Sequence, residues 1–398
     1  PWERGICSKA MYTLLTTCPP YGSRNAGDAL IEQRTKELVR REKGAVRFLT
    51  LFREEPLDDR LPEINASRAL LMPGFPIRDT PMHPGTYRLV GDLDRIRVPL
   101  VPIGANWNVY PGDADSRRDV RYSPQTVAFL NHVAGQVDRV SCREYHVCRV
   151  LRKHGIYNTV MTGDPAFFHL PSLGRPMARP SSVERLVFSP PLSPYYAHQA
   201  GSVMEMLAGL FPGAQRFCAM HLADDGNTPD QRADNSAAMS PAVAEKNRRI
   251  RQQAERMGYD CLDLAGNLEA LSVYDTCDLH VGYECHAHLY FLSHRLPSLL
   301  IAEDARGVGF NDTLAAGGLT GFVRAQREPR AVRKAHTSGY CTSLRELALA
   351  PPRAELAVAV REFLEEELDS AFRRYAGLPD RLDELYERVM RPFLQSLP

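Results

Sequence analysis

Short apolar runs alternate along the chain with longer stretches in which apolar positions recur every three or four residues. That alternation predicts parallel α/β structure, each strand followed by a crossover helix. In the N-terminal half the strand candidates are Ala10–Leu15, Val46–Phe52, Ala69–Met72, Leu100–Ile103, Arg139–Cys142 and Thr159–Met161. Helices are expected at Asp28–Arg41, Pro124–Val137 and Tyr145–His154, the last stopped by Gly155. The stretch Leu170–Ser182 carries Pro171, Pro176 and Pro180 and reads as an interdomain linker. A second series follows, with strands near Leu186–Ser189, Arg216–Met220, Leu279–Val281 and Ser298–Ile301, and helices near Gly201–Leu210, Ala242–Met257 and His286–His294. The polar segment Leu222–Ser240, with Asp224, Asp225 and Asp234, predicts a long surface loop. Beyond Pro352 two charged amphipathic helices, Arg353–Tyr375 and Pro379–Leu394, are expected to pack back on the first domain, with a dimer contact or a membrane surface as alternatives. The expected fold is α/β: two Rossmann-like doubly wound domains, 1–175 and 183–350, facing each other across a cleft, with C-terminal helices over 351–398.

A length of 398 residues suits two domains, and a chain of this size needs no disulfide or metal to fold. With 49 Lys+Arg against 48 Asp+Glu the net charge is +1, which removes a global electrostatic argument for nucleic acid as a partner. The most apolar stretch, Leu279–Ala302, is broken by Glu284, His286, His288, His294, Arg295 and Pro297, so no membrane span is expected. The opening Pro1-Trp2-Glu3-Arg4 shows no secretory leader, and the nine cysteines are odd in number with no C-x-x-C pair. Reduced thiols in a cytoplasmic protein are the expectation, with peripheral contact at the inner membrane face and homo-oligomerisation left open.

Four segments carry candidate chemistry. Tyr21–Ile31 contains Gly22, Asn25, Gly27 and Asp28 directly after the first strand, where glycines admit a ligand and the next helix offers free N–H groups. It lacks both the P-loop Lys and the dinucleotide spacing, and the plain alternative is a turn with Asp28 as N-cap. Arg143 and Glu144 follow one strand and Asp164 and Pro165 another, at carboxyl ends that face the crevice of a doubly wound sheet. Arg143 suits either an anionic ligand or an ion pair with Asp164 or Glu144. His221 ends a strand in the second half. The fourth segment, Gly282-Tyr283-Glu284-Cys285-His286-Ala287-His288, opens a helix; it offers possible metal ligands but no fourth partner, and no metal is expected. Glu303, Asp304 and Arg306 follow the next strand.

Taken in order, these motifs resemble the polysaccharide pyruvyl transferases. The resemblance spans about residues 10 to 315. It rests on N-x-G-D (Asn25, Gly27, Asp28), on R-[DE] before a Gly-terminated helix (Arg143, Glu144, Gly155), and on D-P (Asp164, Pro165). A strand-ending His before an Asp-bearing loop (His221, Asp225) and a final motif with His286 and Ala287 complete it. The resemblance implies a two-domain fold similar to the GT-B glycosyltransferases. It also implies transfer of the enolpyruvyl carbon of phosphoenolpyruvate to a cell-surface saccharide, free or lipid-linked, as a ketal. Under it His286, Glu284 and Asp28 are candidate catalytic residues. Arg143, His221, Gly282, Glu303 and Arg306 fall on the donor side, and Asn25, Gly27, Asn106 and Asp164 on the acceptor side.

One position departs from the family pattern. Glu284 stands where the family carries an arginine thought to hold the donor's carboxylate or phosphate, and two unit charges at about 4 Å and an effective dielectric of 20 interact by roughly 4 kcal/mol. Another arginine must compensate if the donor is phosphoenolpyruvate. The departure keeps two alternatives in view: a GT-B glycosyltransferase using a nucleotide sugar, and a non-catalytic sugar-binding homologue. No bound cofactor is expected under any of the three. Under the pyruvyl reading Glu284→Arg should preserve or improve phosphoenolpyruvate use, and under the nucleotide-sugar reading it should impair activity.

Overall fold

A computed structural model describes residues 10–19, 22–78, 81–222, 241–325 and 350–398. Its strands are β1 (Met11–Thr16), β2 (Arg47–Phe52), β3 (Leu70–Pro73), β4 (Pro76–Ile77), β5 (Leu100–Ile103), β6 (Asn106–Trp107), β7 (Val140–Cys142) and β8 (Thr159–Met161), then β9 (Arg185–Ser189), β10 (Gln215–Met220), β11 (Tyr259–Asp263), β12 (Leu279–Gly282), β13 (Ser298–Ala302) and β14 (Leu319–Thr320). The first sheet has the order β2-β1-β3-β5 and is parallel throughout. The parallel pair β7–β8 continues it through an Ala105–Cys142 bridge. The second sheet runs β11-β10-β9-β12-β13-β14, all parallel, which within that half is the order 3-2-1-4-5-6 of a Rossmann fold. Among the described residues no strand of one sheet pairs with a strand of the other, and the Pro-rich stretch 170–182 lies between Met161 and Arg185.

The strands form where β-branched and aliphatic residues run without a break, because central strands of parallel sheets are covered on both faces. β5, β9, β12 and β13 are buried almost throughout. Besides the two-residue strands β4, β6 and β14, the hydrophobic pattern misses β11: Tyr-Asp-Cys-Leu-Asp alternates polar residues because it is an edge strand. The crossover helices that shape the site are α1 (Ala26–Lys43), α2 (Leu61–Asn65), α3 (Ala114–Asp119), α4 (Pro124–Ala134), α5 (Tyr145–Lys153), α6 (Ala197–Leu210), α7 (Pro241–Arg256), α8 (Cys285–Ser293) and α9 (Ala305–Leu314). Every residue of α8 is buried, so it reads as apolar on all sides, as a helix packed between layers must. α9 escapes sequence prediction because Gly307 and Gly309 lower its helix propensity. Gly309 is required all the same, since a Cβ there would lie 2.6 Å from the Glu144 carboxyl carbon. Residues 223–240 of the expected surface loop, Asp225 included, lie outside the described residues.

The C-terminal segment packs on both halves rather than on the first alone. Helix Leu356–Asp369 lies against α6, and the Tyr375 hydroxyl donates to the Ser298 carbonyl at 2.7 Å. Helix Arg391–Gln395 then lies on α1, where the Glu42 carboxylate accepts from the Tyr386 hydroxyl at 2.7 Å and from Gln395 Nε2 at 2.9 Å. Charge-assisted hydrogen bonds of this kind contribute about 1.5–3 kcal/mol each when enclosed. Glu42→Ala should therefore lower unfolding free energy by on the order of 2–3 kcal/mol and expose the segment after residue 378 to limited proteolysis. An unchanged denaturation midpoint and digestion pattern would show that the apolar contacts alone hold it.

Candidate active site

The two sheets turn their carboxyl edges toward each other, and one polar cavity opens where they meet. Its floor is the switch point of the first sheet, between β1 and β3, where strand order reverses and crossover helices diverge: Thr16 and Thr17 follow β1, and Pro73 and Gly74 end β3. Crevices of this kind are where open α/β sheets take ligands. Asn25, Asp28 and Glu32 line it from α1 and the turn before it, Asn106 and Asn108 from the segment after β5, and His286 and Arg306 from the starts of α8 and α9 in the second half.

At this cavity the two halves meet at the pair Gly27 and His286. A Cβ at Gly27 would fall 2.1 Å from His286 Nδ1 and 2.4 Å from the ring carbon Cγ, so any side chain there displaces the imidazole. Asn25 caps α1, accepting from the Gly27 N–H at 2.7 Å, which brings the start of the helix against the ring. Asp28 is thus in the first turn and is not the cap, a correction to the plain turn reading; its Oδ2 accepts from the Ser23 hydroxyl at 2.6 Å. His286 is 7% exposed, and neither of its ring nitrogens has a hydrogen-bond partner. Glu284 Oε1 stands 3.4 Å from His286 Nδ1, an ion-pair distance outside hydrogen-bond geometry.

Four guanidinium groups reach the same cavity: Arg53, Arg78, Arg143 and Arg306. Arg143 is almost wholly buried. It lies 3.7 Å from Asp164 Oδ2 and 4.7 Å over the Phe310 ring, yet its Nε and Nη2 have no hydrogen-bond partner. Buried donors left unpaired are costly, and an anion in the cavity would satisfy them. Arg306 is held at the mouth of α9 by Asp304, which accepts from its Nη2 at 2.6 Å and caps the helix through the Arg306 N–H at 2.9 Å.

Against known proteins, the sequence profile of the polysaccharide pyruvyl transferases matches residues 25–304. The chain belongs to that family. It is accordingly a transferase, with the α/β architecture of two parallel sheets that the family resemblance implies. No curated protein matches it in sequence. Among solved structures it is similar to the Staphylococcus aureus MnaA–UDP complex, at 10% identity over 97% of each chain and a TM-score of 0.47. It is also similar to a UDP-GlcNAc 2-epimerase from Neisseria meningitidis bound to UDP-GlcNAc, at 9% identity over 98% of this chain and 100% of that one, with a TM-score of 0.47.

In this pyruvyl transferase family member, Asn25, Gly27, Asp28, Asn106, Arg143, His286 and Arg306 come together around one space, although Asn25, Gly27 and Asn106 were expected on the acceptor side and Asp28 among the catalytic residues. Three other candidates play structural parts. Asp164 is fully buried off the cavity wall, where it accepts from the Ala166 N–H at 2.9 Å and faces Arg143. Gly282 lets β12 close on β9, since a Cβ would meet Ser189 Oγ at 2.3 Å. Glu303 accepts from the Leu192 and Ser193 N–H groups at 2.8 and 3.0 Å, and burial pushes its carboxyl up to about 7. His221 lines a second, smaller cavity with Lys246 and Glu284. His288, considered as a metal ligand, instead shares a 2.7 Å hydrogen bond with the Ser298 hydroxyl; among the described residues no group of three metal-ligating side chains converges. Arg53 and Arg78 escaped sequence reasoning. The carboxyl-end rule finds Arg53, which directly follows β2, once it is applied to that strand.

The departure at Glu284 takes on a different meaning in three dimensions. Burial pushes this carboxyl up, but His286, His221 and Arg306 around it prevail and hold it at about 2. Glu284 is therefore the carboxylate of a local cluster with Arg306 and the His286 and His221 rings, and Glu284→Arg should lower the melting temperature and abolish activity, reversing the expectation that the pyruvyl reading gave from sequence. Glu284→Gln should fold, with kcat reduced at least tenfold because the imidazole loses its charged neighbour. The ionised carboxylate contributes stability that is fully present above about 4.5 and is lost as pH falls toward 2. Wild type should accordingly lose its advantage over Glu284→Gln across that window in paired denaturant titrations. A Glu284→Arg protein as stable and active as wild type would show that the cluster is not what holds the site.

Proposed function

We propose that this protein transfers the enolpyruvyl carbon of phosphoenolpyruvate to two hydroxyls of a saccharide, forming a pyruvate ketal and releasing phosphate. The observation that carries the reading is the convergence of four arginines and His286 on one cavity, which suits a small, multiply charged anion. Arg53 and Arg78 supply cationic charge that the family's arginine provides elsewhere, which answers the requirement set by Glu284. The donor of the alternative reading, a nucleotide sugar, carries two phosphates but also a base and a ribose.

The chemistry divides among this chain's own residues. His286 acts as general acid, giving a proton to the methylene carbon of the enol as C2 becomes electron-deficient. One acceptor hydroxyl bonds to C2; the second bonds to it as the C2–O bond to phosphate breaks. Of the two hydroxyl protons, one replaces the proton His286 gave and the other leaves with phosphate. Arg143 and Arg306 neutralise the departing phosphate, and Asn25, Asp28 and Asn106 orient the reactants. Glu284 fixes the His286 ring through its contact with Nδ1. The acceptor is a saccharide in free or lipid-linked form, with transfer in the cytoplasm or at the inner membrane face and no nucleic acid involved. A resident cofactor or metal has no part in the scheme. Among the described residues no helix is long and apolar enough to cross a membrane.

A thermal-shift screen of phosphoenolpyruvate against nucleotides and nucleotide sugars tests the donor. A ligand at 100 times its dissociation constant stabilises by about 2.7 kcal/mol. Phosphoenolpyruvate should shift the melting temperature, and Arg143→Met should abolish that shift; stabilisation by a nucleotide sugar alone would replace this reading with the glycosyltransferase. His286→Asn should lower acceptor-dependent phosphate release by about 10² to 10⁴ with little change in melting temperature. A variant that melts early yet keeps its turnover would make His286 a structural residue.

A further inference from the structure

The second sheet has a switch point of its own, between β9 and β12, and a small cavity sits at the carboxyl ends of β9, β10 and β12 there. Its walls include Pro191 and Leu192 after β9, Met220 and His221 at the end of β10, Lys246 on α7 and Glu284 after β12. Glu284 thus joins it to the active cavity, since the same side chain contacts His286. We propose that this pocket is the seat of one hydroxyl of the saccharide acceptor, held by Lys246, His221 and Glu284. The proposal rests on the saccharide-acceptor reading above and assigns the acceptor a place on the second half of the molecule.

Three observations select a hydroxyl over an anion. The space is small, about 20 Å³ against about 60 Å³ in the active cavity, and suits one water-sized polar group. The Lys246 ammonium is already faced by the Glu303 and Glu284 carboxyls, and burial keeps His221 neutral by lowering it to about 4. A second anion would face Glu284 directly. The polar groups are also mixed in type: Lys246, 4% exposed, donates one of its three N–H groups to the Pro191 carbonyl, and the described residues show no partner for the other two. His221, 4% exposed, shares a 2.7 Å hydrogen bond with Tyr274 through Nε2 and leaves Nδ1 buried without a partner. Whichever tautomer His221 adopts, a hydroxyl can answer Nδ1 as donor or acceptor while also donating to Glu284 or accepting from Lys246.

The test is direct binding of a panel of methyl glycosides of hexoses and N-acetylhexosamines, measured by saturation-transfer NMR and calorimetry without donor. The proteins compared are wild type, Lys246→Met and His221→Phe, each checked for native melting behaviour. At least one glycoside should bind wild type, and each substitution should weaken it by about ten- to a hundredfold. Removing a single hydroxyl from that glycoside should reproduce the loss in wild type and cost little more in Lys246→Met, a non-additivity that general destabilisation would not produce. The seat is overturned if no glycoside of the panel binds wild type, or if both variants bind as wild type does, which leaves the pocket holding a water only. It is equally overturned if every deoxy derivative loses affinity alike in wild type and Lys246→Met. Phosphoenolpyruvate stabilisation measured on the same wild-type sample separates failure of this seat from failure of the pyruvyl reading.

Discussion

The contact between Gly27 and the His286 ring sets the geometry on which everything else depends. It joins the first helix of one half to the central buried helix of the other, at a separation only a glycine permits. Because each of these helices starts at the carboxyl edge of its own sheet, closing them on each other brings the two edges face to face. The seam is reinforced nearby by the Ala305 N–H donating to the Val109 carbonyl at 3.0 Å, by His146 Nε2 at 2.9 Å from Asp312, and by Gly309 against Glu144. One apolar cluster runs through both halves, from Tyr12 and Leu30 to Phe291 and Phe310, so the cavity lies in a shared wall and is not a gap between independent bodies.

Enclosing so many charged groups demands that each be answered, and the arrangement is economical in how it does so. Arg143 faces Asp164, Arg306 is held by Asp304, Glu32 takes Lys36 at 2.5 Å, and Glu284 sits among His286, His221 and Arg306. Unsatisfied capacity is present where a ligand would meet it: the guanidinium of Arg143, the ring of His286 and Nδ1 of His221. Buried polar atoms without partners are costly in a folded protein, and those that line these two neighbouring cavities are placed where a polar ligand would satisfy them.

Much of this was legible in the primary structure. Runs such as Leu100–Ile103 and Thr159–Met161 form strands with the bounds their sequences suggest, because uninterrupted apolar residues leave few other ways to bury both faces. Asn25, Gly27, Arg143 and His286 could be named because ligand-facing residues in such sheets follow the strands. The edge strand β11 and the glycine-bearing α9 were hidden, the first by its polar alternation and the second by poor helix propensity that tertiary contact overrides. Gly282 and Asp164 occupy site-like positions in the chain, but the atoms around them show that they position other residues.

Sequence alone determined the α/β class, the two strand–helix series and the family, since these depend on periodicity and on motif order along one dimension. It could not decide what Glu284 does. A carboxylate in place of an arginine reads as a reversed field until the groups around it are placed, and His221, His286 and Arg306 come from the end of β10, from α8 and from α9, up to 63 residues away in the chain. Nor could it bring Arg53 and Arg78 to the wall that holds His286, or set Lys246 beside His221. Charge interactions depend on distance and burial, and both are fixed only when the sheets close on each other.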